Sequence, residues 1–199
     1  MIDAYFDDLD ERIGFLEELN DMHREDESLM LCCCYIETLG TRHHDQGQSK
    51  ARNYCEILRA HSDEPLFSQV HVGQLLRVIS AKGMFSEKLP QIEGILSEMR
   101  TELRNREHIE EALLPHLNER EAVWLDRNLH KGTIAYISYS HVRSELVHDI
   151  SAGTVTFSET TYRGSPVPDL SFGLLYKALR TIAGKLRHES LKRGRWWWE

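Results

Sequence analysis

Apolar residues recur along this chain at spacings of three and four, so helix is expected to follow helix. Between about Asp3 and Asn20, the positions Ile13, Leu16 and Leu19 fall towards one face of an amphipathic helix. The next stretch, LMLCCCYIETLG from about Ser28, is apolar nearly all round and is expected at the centre of a bundle. Gly40 is expected to end it as a left-handed cap. TRHHDQGQ then reads as a loop, and Ser49 as the cap of KARNYCEILRAH. QVHVGQLLRVISA makes a further helix closed by Lys82-Gly83. Pro90 opens another through QIEGILSEMRTELRNRE, and a charged segment runs on to about Glu121.

After Gly132, the stretch TIAYISYSHVRSELVHDI predicts a helix over about 133–150, broken by Gly153. TVTFSETTY alternates polar and apolar residues, which predicts a small hairpin over about 154–163. Pro168-Asp169 sets up a final helix over about 170–190, with Phe172, Leu175, Leu179, Ile182 and Leu186 as its apolar stripe. No internal repeat or low-complexity tract is apparent. The expected fold class is all-α: a helical bundle forming one domain over 1–199, with a β-hairpin before the last helix.

The formal net charge of −8 argues against a general nucleic-acid coat protein, because phosphate backbones are bound through cationic surface. The charge is uneven, however. Asp and Glu crowd the segment from Asp3 to Glu27, whereas Lys and Arg dominate from Lys177 onward. The opening MIDAYFDDLDE lacks the apolar core of a signal peptide, and no run approaches the ~18 apolar residues of a membrane span. A cytoplasmic protein without a membrane partner is therefore expected. Cys32, Cys33 and Cys34 are consecutive. Neighbours on a helix point about 100° apart, so these thiols cannot converge on a metal and read as small core residues.

Candidate chemistry lies in the helix after Gly132, where Arg143 and His148 stand with Ser-Glu-Leu-Val between them. The spacing alone carries nothing, since the arginines and the 11 histidines of this chain supply roughly one such pair by chance. On a regular wheel, Ala135, Tyr139, Val142, Leu146 and Ile150 form the core stripe, with His141, Ser144 and His148 opposite. Arg143 then lies about 140° from His148, so one regular helix does not aim both at one point. Either the helix unwinds or another helix or subunit completes the site.

In this setting RSELVHD resembles the R-x(4–6)-H signature of the HEPN domain superfamily, small all-helical proteins of defence systems and toxin–antitoxin pairs. An apolar second helix ending in IETLG, the motif helix, a short hairpin and a closing helix are similar to bacterial HEPN proteins. The resemblance implies a homodimer with the motifs facing across a cleft, and metal-independent endoribonuclease activity on RNA. It implies no cofactor, and admits an antitoxin protein as partner. It assigns Arg143 as the family's arginine and His148 as its histidine. Ser144 stands where Asn, Asp or His is more common, and Ile150 where antitoxin-regulated branches carry tyrosine.

The residue chemistry agrees. An imidazole can move protons near neutral pH as the ribose 2′-hydroxyl attacks the adjacent phosphate, and a guanidinium fork can hold two phosphoryl oxygens. His148 is thus the candidate acid/base, Arg143 the phosphate clamp and Ser144 an orienting group. His141, Lys131 and Arg163 are candidate RNA contacts. The competing reading is a non-catalytic module of the same fold that binds a partner protein or nucleotide. His43-His44-Asp45 and His148-Asp149 also form His-Asp doublets like those of HD phosphohydrolases, without the remaining ligands in place. The tail RGRWWWE suits either base stacking or burial against protein, and packing is the favoured reading.

Overall fold

A computed structural model describes residues 1–44, 48–144, 157 and 159–199. The described residues are all-α apart from one two-stranded antiparallel ribbon. They form two compact units: 1–44, 48–64, 138–144 and 169–199 in the first, and 65–137, 157 and 159–168 in the second.

In the first unit, α1 (Ile2–Asp21), α2 (Glu25–His43), α3 (Lys50–His61) and the closing helix α9 (Phe172–Arg193) make a bundle. α2 packs on each of the other three, so its nearly continuous apolar surface is used on several sides. Phe6, Leu9, Ile13 and Leu16 of α1 and Leu175, Leu179, Ile182 and Leu186 of α9 are buried at the expected helical spacing. Cys32, Cys33 and Cys55 are buried and Cys34 is half-buried, all as free thiols. Burial pushes the Cys33 and Cys55 thiols up to about 12, which leaves them inert. Ser49 caps α3 by accepting from the Arg52 amide. Gly194, at φ +66°, closes α9 in the left-handed conformation. The tail beyond it folds back: Trp197 is buried, with its ring centroid 5.3 Å from that of Phe6 and 5.7 Å from that of Tyr5.

Gly40 does not end α2, which continues to His43. A Cβ at Gly40 would stand 2.6 Å from the Asn53 carbonyl oxygen, so the missing side chain lets the α3 backbone approach closely. Glycine was needed here for contact, not for a turn.

The second unit is built from α4 (Val72–Ser80), α5 (Leu89–Ser97), α6 (Arg106–Leu113), α7 (Glu119–Asn128) and α8 (Ile134–Ile137). Its core joins Val70, Leu75, Ile79, Phe85, Ile92, Leu96, Ile109, Leu113, Leu125 and Leu129. The single long helix expected after Pro90 is two helices. Asn105 caps α6, and the segment between bridges Val70 through Arg104 and Thr161 through Glu102. A capping box of Asn118 and Glu121 starts α7 inside the segment read as merely charged. The ribbon pairs β1 (Thr161–Tyr162) with β2 (Ser165–Pro166). Arg163 and Gly164 turn it with φ of +53° and +76°, the signs of a type I′ turn. The ribbon overlaps only the end of the expected hairpin at about 154–163. Residues 154–156 and 158 lie outside the described residues.

Gly40→Ala is expected to destabilise the protein by about 1–3 kcal/mol, because the backbone contact outweighs the gain in helix propensity. Gly14→Ala, with open space around its Cβ, is expected to stabilise by about 0.5–1 kcal/mol. Urea denaturation of both variants checks the contrast, and equal shifts of one sign would contradict it.

Candidate functional site

The motif segment leaves regular helical geometry before it reaches its arginine. α8 gives way to a π-helical turn over Ser138–Arg143, in which each turn takes in an additional residue. The wheel drawn at regular spacing therefore loses phase between Ala135 and Arg143. Ala135 and Val142 are buried as expected, while Tyr139, His141, Arg143 and Ser144 are half-buried.

Within the first unit the turn is held by buried polar contacts. The Tyr54 hydroxyl, wholly buried on α3, shares a 2.9 Å hydrogen bond with the Ser138 hydroxyl and donates a longer one, 3.7 Å, to Cys33 Sγ. Burial drives the Tyr54 hydroxyl well above its ordinary pKa, so it stays a neutral donor. The Tyr139 ring lies against Tyr54 at 5.4 Å between centroids, and the Arg143 guanidinium sits 5.4 Å from the centre of the Tyr139 ring.

Arg143 meets Glu37 of α2, with Nε 2.8 Å from Oε2 and side-chain exposures of only 16% and 11%. The contact is an ion pair rather than an aligned hydrogen bond, since neither atom meets hydrogen-bond geometry with any described partner. Lys50, at the first turn of α3, approaches the other Glu37 oxygen at 3.5 Å. One buried carboxylate thus gathers two cations from two other elements. Glu37 had a visible signal in the sequence, as the lone acid in an apolar run. Tyr54 and Ser138 had none, because their pairing joins residues distant in sequence.

The remaining expected site residues divide. His141 and Ser144 flank Arg143 in the first unit, whereas Lys131 and Arg163 belong to the second. Arg163 occupies the exposed ribbon turn, with its guanidinium 5.1 Å from the centre of the Tyr162 ring. His148, with Asp149 and Ile150, lies outside the described residues.

Of the first His-Asp doublet, Asp45 lies outside the described residues, and the histidines engage neighbours. His43 Nε2 is 3.2 Å from His61 Nε2, and His44 Nδ1 is 3.4 Å from Glu56 Oε2. Burial, followed by the adjacent His61 and His44, lowers the His43 pKa to about 4. Among the described residues no group of three or more His, Cys, Asp or Glu could hold a metal ion. None of the helices among them is long and apolar enough to cross a membrane.

No known family model, curated protein or solved structure matches this chain.

Removing either half of the Glu37–Arg143 pair leaves a charge in a nearly dry site. Glu37→Gln is expected to cost about 2–4 kcal/mol by urea denaturation at pH 7. A Glu37→Met, Arg143→Met double variant is expected to cost less than the two single replacements added together. Strict additivity would mean that the pair is not coupled.

The His43 shift gives a pH dependence of known sign. Its folded pKa lies below the unfolded value of 6.5, so the unfolded chain binds the extra proton between the two. Stability is full above pH 6.5 and falls as pH drops towards 4. His61, lowered chiefly by burial, adds in the same direction. Urea midpoints measured from pH 7 to pH 5 are expected to fall for the parent protein, and less steeply for His43→Gln.

Proposed function

We propose that this chain is a HEPN-type protein acting as a metal-independent endoribonuclease, with a composite site formed by two copies of the motif in a homodimer. The observation that supports this reading is the Glu37–Arg143 ion pair. It joins the two segments on which the resemblance rests, IETLG on α2 and RSELVHD, whose Arg143 ends the π-helical turn. A phosphate clamp requires a guanidinium whose plane is set before substrate arrives. Glu37 engages Arg143 at Nε, and the Tyr139 ring backs it.

In this reading the ribose 2′-hydroxyl attacks the neighbouring phosphorus, gives up its proton and expels the 5′-oxygen, which gains one. His148 carries a proton in this exchange, Arg143 holds the phosphoryl oxygens, and Ser144 orients one of the two. His141, Lys131 and Arg163 contact the RNA backbone. A cytoplasmic role in a toxin–antitoxin pair or in phage defence, with an antitoxin as partner, belongs to the same proposal.

A second reading, a non-catalytic HEPN module for a partner protein or nucleotide, is favoured by the same ion pair. A guanidinium already neutralised by a carboxylate has less to offer a phosphate.

Incubation of the purified protein with mixed RNA in EDTA separates the two. The ribonuclease reading expects cleavage that falls at least about 100-fold in Arg143→Ala and in His148→Ala, each checked for folding by circular dichroism. Intact RNA with the parent protein selects the binding module. Undiminished cutting by His148→Ala ends the assignment of that residue.

A further inference from the structure

The first unit also holds a pocket of about 280 Å³ between α1 and α2, which the proposed reaction does not use. The two helices present the same face to it. Tyr5, Leu9 and Arg12 line one side, and Tyr35, Leu39 and Arg42 the other, each set at positions i, i+4 and i+7. The pattern is too sparse to stand out as a repeat, since only three residues in eight are common to both copies.

The pairs cross. Arg42 Nη1 donates to the Tyr5 hydroxyl at 3.2 Å, and Arg12 interacts with the Tyr35 hydroxyl. Each arginine therefore meets the tyrosine of the opposite helix, as antiparallel helices require. Leu9 and Leu39, both buried, supply apolar wall.

The two ends differ at one position. On α1 the residue four before the arginine is Asp8, and its Oδ2 lies 3.0 Å from Arg12 Nε. On α2 the equivalent residue is Thr38, whose hydroxyl donates to the Cys34 carbonyl at 2.8 Å. Arg42 consequently has no carboxylate partner among the described residues. Its guanidinium lies 5.6 Å from the centre of the Tyr5 ring and 5.3 Å from that of Trp198. The Tyr5 and Trp198 rings and the Tyr5 hydroxyl thus orient, at the pocket, a cation that no described carboxylate pairs with, in a chain of net charge −8. A guanidinium held in this way has less freedom to lose when a carboxylate takes its fork.

We propose that this pocket binds a small organic carboxylate with a hydrogen-bond donor at its far end. The acid group bonds Arg42, the body rests on Leu9 and Leu39, and the donor faces Asp8. One positive charge without an acidic partner among the described residues matches one carboxylate. The volume lies near the lower limit, about 300 Å³, of small-molecule sites, which suits a single small molecule and not a polymer. The inference does not depend on the ribonuclease reading.

The test uses the full chain with 4-aminobenzoate, benzoate and aniline as probes, followed by ligand-observed NMR and tryptophan fluorescence. Saturable binding of 4-aminobenzoate is expected at roughly millimolar concentration, as for a ligand of this size. Benzoate is expected to bind several-fold more weakly, and aniline not at all. Arg42→Met should weaken binding at least tenfold and Arg42→Lys by an intermediate factor. Asp8→Asn should bring 4-aminobenzoate down to the level of benzoate. Arg42 is exposed, so its variants are expected to keep the parent circular dichroism spectrum. Absence of saturable binding by either carboxylate, binding unchanged in Arg42→Met, or aniline binding as well as 4-aminobenzoate overturns the proposal.

Discussion

A carboxylate placed in the most apolar helix of a bundle must find positive charge, because an unpaired buried ion costs several kcal/mol. Glu37 occupies that position on α2. It draws in Arg143 from the π-helical turn and Lys50 from the first turn of α3. The Tyr54–Ser138 hydrogen bond and the Tyr54–Tyr139 ring contact fasten the same turn to α3. The geometry of the motif arginine is thus set from α2 and α3, although the motif itself is carried on a later segment.

That arrangement has two chemical faces. The carboxylate orients the guanidinium, which favours recognition of a phosphate, and it also neutralises part of the charge that a phosphate would meet. Under the proposed function, the strength of the Glu37 contact sets how far Arg143 acts as a clamp rather than as a structural cation. Arg42 presents the contrasting case. Its ring and phenol contacts orient the guanidinium without cancelling its charge, and Thr38 stands where an acid would otherwise compensate it.

Much of the helical framework was legible in the sequence, because burial periodicity is a local signal. The apolar stripes of α1 and α9, the Ser49 cap, the helix start after Gly132 and the small core cysteines could all be read from neighbouring residues. Packing of the tryptophan tail was likewise the favoured reading. The errors lie where one residue type serves two physical purposes. Gly40 looked like a helix stop and is a close-contact residue. The run after Pro90 looked like one helix, yet its middle pairs with Val70 and Thr161.

By itself the sequence determined an all-α chain and the approximate place of most helices. Tertiary structure decided which groups the residues after Gly132 meet. It replaced a regular wheel with a π-helical turn, gave Arg143 its carboxylate and faced Tyr5–Arg12 with Tyr35–Arg42 across a pocket. The physical reason is range: helical periodicity acts over three or four residues, whereas ion pairs and pockets join groups that only the folded chain brings within a few ångströms.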